Sequence, residues 1–174
     1  MAIPFSLTPF ETVSDVVISG RVVRSQSSLV VEYTITGAID DLEIPASTDT
    51  EPTRRDQLWE NTCFEFFIGL PESPRYWEVN AAPNGDWNVY CFDDYRQAMT
   101  PEPACEQVHC TWQPITKGYY LTVELPTENW IALEQPLELG VGTVLKTKDI
   151  SHWALAHPGN EPDFHRRDSF SLVV

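Results

Sequence analysis

Short alternations of apolar and polar positions recur along the whole chain. In the stretch from Tyr119 to Leu125, the residues Leu121, Val123 and Leu125 are apolar and the intervening Thr122 and Glu124 are polar. That is the period-2 pattern of a strand with one buried face. Comparable stretches, rich in Val, Ile, Tyr, Phe, Trp and Thr, run over 15–24, 28–36, 62–70, 75–81, 86–92, 106–113, 118–125, 138–144, 152–156 and 169–174. Each predicts a strand. Between them stand Gly20, Gly37, Pro71–Pro74, Pro83–Gly85, Pro101–Pro103, Pro114–Gly118 and Pro158–Gly159. Pro83-Asn84-Gly85 is the best turn signal, because Asn-Gly accepts positive φ at low cost. Fourteen prolines oppose long helices, and only 54–61 and 93–99 have room for a helical turn or two. Strands roughly 8–12 residues apart with turns between them predict an all-β sandwich or barrel. No repeat, low-complexity tract or linker interrupts the pattern, so residues 1–174 are expected to form a single domain. The polar stretch Ser47–Asp56 is expected to be the longest exposed loop.

The 174 residues are enough to bury about 70% of the unfolded surface, so the core needs no metal or disulfide. Eleven Lys and Arg against 26 Asp and Glu give a net charge of −15. That opposes binding to nucleic-acid phosphates or to an anionic membrane surface. No apolar run reaches the roughly 18 residues of a transmembrane helix. The start, MAIPFSLTPFE, lacks the basic and apolar regions of a secretory signal, so a cytoplasmic location is expected. Cys63, Cys91, Cys105 and Cys110 are then expected as thiols, with Cys63 and Cys91 as small core residues. Cys105 and Cys110 flank His109, but an isolated pair at that spacing is a weak metal signal.

Candidate chemistry gathers in three clusters. The first runs from Arg54 to Glu65 and places Trp59 near the mouth of a strand. Either Trp59 plugs the end of the sandwich, or its face stacks on a sugar ring while carboxylates and amides bind hydroxyls. In Cys63-Phe64-Glu65-Phe66-Phe67, Glu65 lies on an otherwise apolar face. A lone carboxylate there is costly unless an arginine such as Arg96, or a ligand hydroxyl, satisfies it. The second cluster is a hairpin, Tyr76–Tyr90, followed by Phe92-Asp93-Asp94-Tyr95-Arg96. By parity Glu78, Asn80 and Tyr90 share one face, and Trp77, Val79, Trp87 and Val89 the other. The plainer alternative leaves one face of that hairpin in solvent. The third cluster holds His152, Trp153, His157, Asp163 and His165. Its spacing fits neither HExxH nor a zinc finger, so Asp163 and His165 are expected to tie the last strand down by hydrogen bonds.

No GxSxG, P-loop or GxGxxG occurs, and no pair of acids stands out as a glycosidase couple. These absences remove several enzyme templates. The motifs from Leu58 to Phe67, Glu78-Val79-Asn80, Pro83 to Tyr90, Phe92 with Tyr95-Arg96, Trp153-Ala154-Leu155 and Pro162-Asp163-Phe164-His165 together resemble the DOMON-like proteins. These are related to the family 9 carbohydrate-binding modules. The resemblance covers about Arg54 to the C-terminus. It implies a two-sheet antiparallel β-sandwich, immunoglobulin-like or jelly-roll-like, that binds a small molecule without catalysis. It further implies that Trp59 and Trp153 stack on a terminal sugar and that Glu65 binds its hydroxyls; the carbohydrate reading adds Arg96, unaligned with a binding residue of those modules, as a second hydroxyl ligand, and Asn80 and Trp87 as residues that shape the pocket. Structural calcium in such modules would fall here to Asp40, Asp41 and Glu43, although no calcium-loop pattern is present. Haem-binding DOMON domains use a Met/His pair, for which Met99 is the internal methionine. Three readings follow: a carbohydrate-type binding domain needing no cofactor, a haem electron-transfer domain, and an interaction module without a small ligand.

Overall fold

Alternation decides which way the strands of one half of the molecule face. In β3 (Ser28–Gly37), Leu29, Val31, Tyr33 and Ile35 are buried while Val30, Glu32, Thr34 and Thr36 are partly exposed. The neighbouring β2 (Val16–Arg24) and β9 (Gly118–Pro126) follow the same rule. A computed structural model describes residues 2–13, 15–46 and 51–174 of the chain. Its remaining strands are β1 (Ala2–Pro9), β4 (Cys63–Gly69), β5 (Tyr76–Ala81), β6 (Trp87–Phe92), β7 (Thr100–Pro101), β8 (His109–Ile115), β10 (Glu138–Lys146), β11 (Ile150–Ala154) and β12 (Leu172–Val173). Among the described residues there is no α-helix, only two short 3-10 turns, at Leu58–Glu60 and Arg167–Ser169. Among the described residues no helix is long and apolar enough to cross a membrane.

The paired strands are antiparallel, in the order β7-β6-β5-β4-β10-β11-β1-β2-β3-β9-β8, with β12 against β10. The expected two sheets are here one curled sheet, continuous through β1. Residues Ala2–Leu7 of β1 pair with β2, and Thr8 and Pro9 pair with β11. The curl brings β3 and β8 over β4. Tyr33 lies edge-on to Phe64 at 5.1 Å between ring centres, Phe64 meets Trp112 at 5.7 Å, and Tyr33 Oη donates to the Glu65 carbonyl at 3.0 Å. One apolar core fills the space between.

The other half departs from simple alternation. Every residue of β4, β5 and β6 is buried, so no face of the 76–92 hairpin is left in solvent. Phe64, Phe66, Ile68, Trp77, Val79, Trp87 and Val89 fill the main core. Phe67, Tyr76, Tyr90 and Phe92 form a second apolar cluster on the outer face with Phe164 and Phe170. The C-terminal segment covers that face because β10 offers Gly140 and Gly142 beneath it. A Cβ at Gly140 would lie 2.7 Å from the Phe170 ring, and one at Gly142 2.9 Å from the Phe164 ring. Arg167 fastens the segment, donating to the carbonyls of Ser73 at 3.0 Å and Leu70 at 3.1 Å and pairing with Glu138.

Several expectations are corrected. Strand β1 was not anticipated, since two prolines interrupt it. Its Ile3, Phe5 and Leu7 nonetheless alternate inward, and Pro4 is tolerated because no strand pairs with its far edge along Ala2–Leu7. Residues 93–99 form a bridged turn, Asp94 to Gln97, rather than a helical one. The expected strand over 106–113 begins later and runs on to Ile115. The expected last strand shortens to Leu172–Val173, after a 3-10 turn. Of the stretch 47–56, residues 47–50 lie outside the described residues. Arg54 is no free loop residue, since it bridges Trp87 and donates to Asn88 Oδ1 at 2.9 Å.

Candidate functional site

The outer face of β4–β6 carries a cleft of about 470 Å3. Its floor is set by register. Glu65 pairs across to Asn80 on one side and Gly142 on the other, and Phe67 pairs with Glu78. Glu65 and Glu78 are therefore diagonal neighbours on adjacent strands, their side chains on the same face. The absent side chain at Gly142, beside Glu65 in register, seats the ring of Phe164, which closes one wall.

Three segments form the rim. The first carries Trp59 on its 3-10 turn. This segment is anchored by Asp56, whose Oδ1 accepts from Tyr90 Oη at 2.7 Å and Asn88 Nδ2 at 3.0 Å. Trp59 then meets Tyr90 edge-on at 5.9 Å and stays partly exposed. The second is the 93–99 turn, where Arg96 takes a left-handed φ of 52°. Its backbone N–H donates to Tyr76 Oη at 3.1 Å and its guanidinium to Asp163 Oδ1 at 2.9 Å. The third is 162–165, where His165 Nδ1 bonds Tyr76 Oη at 2.8 Å.

The electrostatics of the floor are unusual. Glu65 and Glu78 are each 4% exposed. Glu78 Oε1 accepts one bond, from Asn80 Nδ2 at 2.9 Å, whereas Glu65 Oε1 is buried with no partner. Burial, with Glu78 alongside, pushes the Glu65 carboxyl well above the usual range. Burial likewise pushes Glu78 up to about 7, although the Asn80 bond and Arg96 oppose it. Burial lowers His165 to about 4, so its ring is neutral at pH 7. Its Nδ1 is hydrogen-bonded with Tyr76 Oη, and its Nε2 lies 3.8 Å from Glu78 Oε2. The cleft thus holds an acidic floor within apolar walls and can accept hydrogen bonds from a bound group.

The structure brings together three of the six anticipated residues, Trp59, Glu65 and Arg96. Asn80 lies just behind them, holding Glu78 and accepting from Cys63 Sγ at 3.4 Å. Trp87 and Trp153 are placed elsewhere. Trp87 is 4% exposed and points into the main core, with the Arg54 guanidinium 4.5 Å from its ring centre. Trp153 is 2% exposed in the same core, and its Nε1 donates to Ser151 Oγ at 3.0 Å. Neither lines the cleft, because parity along β6 and β11 turns both inward. The cleft walls that were not anticipated as site residues are Glu78, Phe92, Met99, Val144, His152, Pro162, Phe164 and His165. Glu78 and Phe92 had a usable signal, sharing the strand face of Asn80 and Tyr90.

Implied cofactors can be tested against these residues. For haem, Met99, His152 and His165 do line the cleft. However, His152 is held by Glu11 at 2.7 Å, His165 is held between Tyr76 and Glu78, and two acids floor the space. A flat dianionic ring does not fit that set. For calcium, Asp41 pairs with Lys148 at 3.1 Å and Glu43 with Lys146 at 3.5 Å. Among the described residues no group of three His, Cys, Asp or Glu could hold a metal ion. The four cysteines are unpaired.

The architecture is thus one curled antiparallel sheet with a cleft on one outer face. Comparison with solved structures is more specific. The chain resembles a candidate carbohydrate-binding protein from Bacteroides uniformis with a TM-score of 0.69 and 14% identity, over 96% of this chain and 84% of that one. It also resembles a family 9 carbohydrate-binding module from Caldicellulosiruptor kristjanssonii, solved with cellotriose, with a TM-score of 0.56 and 9% identity over 91% and 75% of the two chains. The fold is thus that of the family 9 modules. No protein-family model matches the sequence, and no curated protein does.

Proposed function

We propose that this chain is a non-catalytic carbohydrate-binding domain that holds a sugar in the cleft between Trp59 and the Glu65–Glu78 floor. The carrying observation is the Glu65 carboxyl, buried and with Oε1 unpartnered, beside a Trp that remains partly exposed. A residue kept only for packing would be paired or replaced, since an unmatched buried acid is costly. A ligand hydroxyl donating to Oε1 removes that cost. Trp59, Phe92 and Phe164 offer the apolar faces on which a sugar ring packs. The fold shared with a module solved with cellotriose supports the same reading.

Binding without hydrolysis is the reading that the fold shared with a carbohydrate-binding module supports. We further read the curled sheet as a two-layer sandwich in a single domain, on the strength of the Tyr33–Phe64 and Phe64–Trp112 contacts across it. The relation to the DOMON-like proteins belongs to this proposal and rests on the motif set between Leu58 and His165. An interaction module without a ligand would have Trp59 sealed in the core and Glu65 paired, and neither holds.

The test is tryptophan fluorescence or calorimetric titration of the protein with a panel of mono- and disaccharides. A saturable response that Trp59→Ala abolishes supports the proposal. A flat response across the panel overturns it.

A further inference from the structure

The groups that face the cleft have an unequal balance of charge. On the 93–99 turn Arg96 is the cation, and Asp163 from the C-terminal segment already matches it at 2.9 Å. On β11 His152 is held by Glu11 at 2.7 Å. His165 is buried against Phe67, Phe92 and Tyr76. Tyr76 and Tyr90 are spoken for by His165 and Asp56. Among the described residues the floor acids Glu65 and Glu78 have no cation within salt-bridge range, and the ring 3.8 Å from Glu78 is the neutral His165. Their hydrogen-bond donors are equally few. Asn80 gives one to Glu78, and Glu65 Oε1 receives none. What the cleft lacks is therefore a donor that carries positive charge.

The walls favour the same kind of group. Trp59, Phe92 and Phe164 line the cleft beside the acids, and an aromatic ring attracts a cation within about 6 Å of its face. The chain's net charge of −15 draws cations toward it and repels anionic sugars.

We propose that the cleft takes a sugar bearing a free, protonated amine, with the ammonium seated against Glu65 and Glu78. This inference rests on the carbohydrate reading and names the class of sugar. The ammonium supplies the donors that Glu65 Oε1 lacks, the ring packs on Trp59, and the remaining hydroxyls face Arg96 and Asp163. An N-acetylated sugar keeps the shape but loses the charge. A uronic acid brings a carboxylate to a floor of two acids in a chain of net charge −15.

The experiment is calorimetric titration of the full chain near neutral pH and low salt with glucosamine, galactosamine and mannosamine. Each is compared with its parent hexose and its N-acetyl derivative, and cyclohexylamine serves as an amine without hydroxyls. At least one hexosamine should bind about tenfold more tightly than both its parent and its N-acetyl form, the margin of a charge-assisted bond over a neutral one. Glu65→Gln, and separately Glu78→Gln, should bring that ratio toward one. The wild-type ratio decides the matter even where a variant folds poorly. Parent or N-acetyl sugars that bind as tightly as the amines overturn this inference and leave the carbohydrate reading standing. Cyclohexylamine binding with no response to any sugar overturns the carbohydrate reading, and the sugar class falls with it. Silence from every probe overturns both.

Discussion

Among single residues, Glu65 and His165 set opposite demands on pH. Glu78 rises from its usual 4.5 to about 7 on folding, and Glu65 moves in the same direction. The folded chain then binds more protons than the unfolded one, so the carboxyls cost stability as pH rises through that range. His165 falls from 6.5 to about 4. There the unfolded chain binds more protons, and stability drops as pH falls through 6.5 toward 4. The two slopes oppose each other between 4.5 and 6.5; above 6.5 the carboxyl slope remains, joined from about pH 8 by the thiols of Cys63, Cys105 and Cys110, which burial also pushes up. Thermal unfolding should therefore show Tm declining from pH 6.5 to 8.5, and the double variant Glu65→Gln, Glu78→Gln should flatten that decline. An unchanged decline in the double variant would mean that the floor acids are not its source. The tryptophans divide as sharply. Trp153→Ala empties a buried core position and should cost roughly 3–5 kcal/mol. Trp59→Ala, at a partly exposed rim, should leave denaturant stability within about 1 kcal/mol of wild type while ending sugar binding. A sequence reader can find Glu65, because a charge on an apolar face stands out. Trp87 and Trp153 mislead because aromatic identity invites a stacking role. Parity already argued against Trp87, which alternates with Asn88, Tyr90 and Phe92 and so faces away from them.

Among elements, the C-terminal segment makes the cleft rather than merely closing the sheet. Sequence suggested that Asp163 and His165 tie the end of the chain down by hydrogen bonds, and they do, to Arg96, Tyr95 and Tyr76. What sequence could not show is the surface beneath them. Gly140 and Gly142 look like weak points in a strand, yet they are the seats of Phe170 and Phe164. Continuous burial of β4, β5 and β6 follows from this cover and not from the hairpin's own pattern. Gly142→Ala places a methyl 2.9 Å from Phe164. The ring must shift, at roughly 1–3 kcal/mol for such overpacking, and the shift occurs at the cleft wall. The variant should lower Tm by a few degrees and weaken sugar binding together, as thermal unfolding and titration on one preparation can show. Lower Tm with unaltered affinity would mean that Phe164 does not shape the bound state.

At the scale of the whole molecule, the all-β class was visible in the spacing of strands and prolines, but the way the sheet closes was not. Strand pairing over long separations leaves no mark in a single sequence, and β1 was hidden further by Pro4 and Pro9. Yet β1 is the seam, with six residues on β2 and two on β11. Its Phe5 packs edge-on against Tyr33 at 5.6 Å, and Tyr33 in turn touches Phe64 and bonds the Glu65 carbonyl. The chain of contacts runs from the seam, through the core, to the residue that floors the cleft. The halves on either side of β1 should therefore not unfold separately. Phe5→Ala removes a side chain that is 7% exposed and should cost roughly 3–5 kcal/mol. Native-state hydrogen exchange should record that loss equally at amides of β3 and of β4 or β5, because both lean on the same core. Loss confined to β1–β3, with β4 and β5 protected as in wild type, would mean that the cleft half is stable on its own. In that case the continuity through β1 would be a matter of connection and not of shared stability.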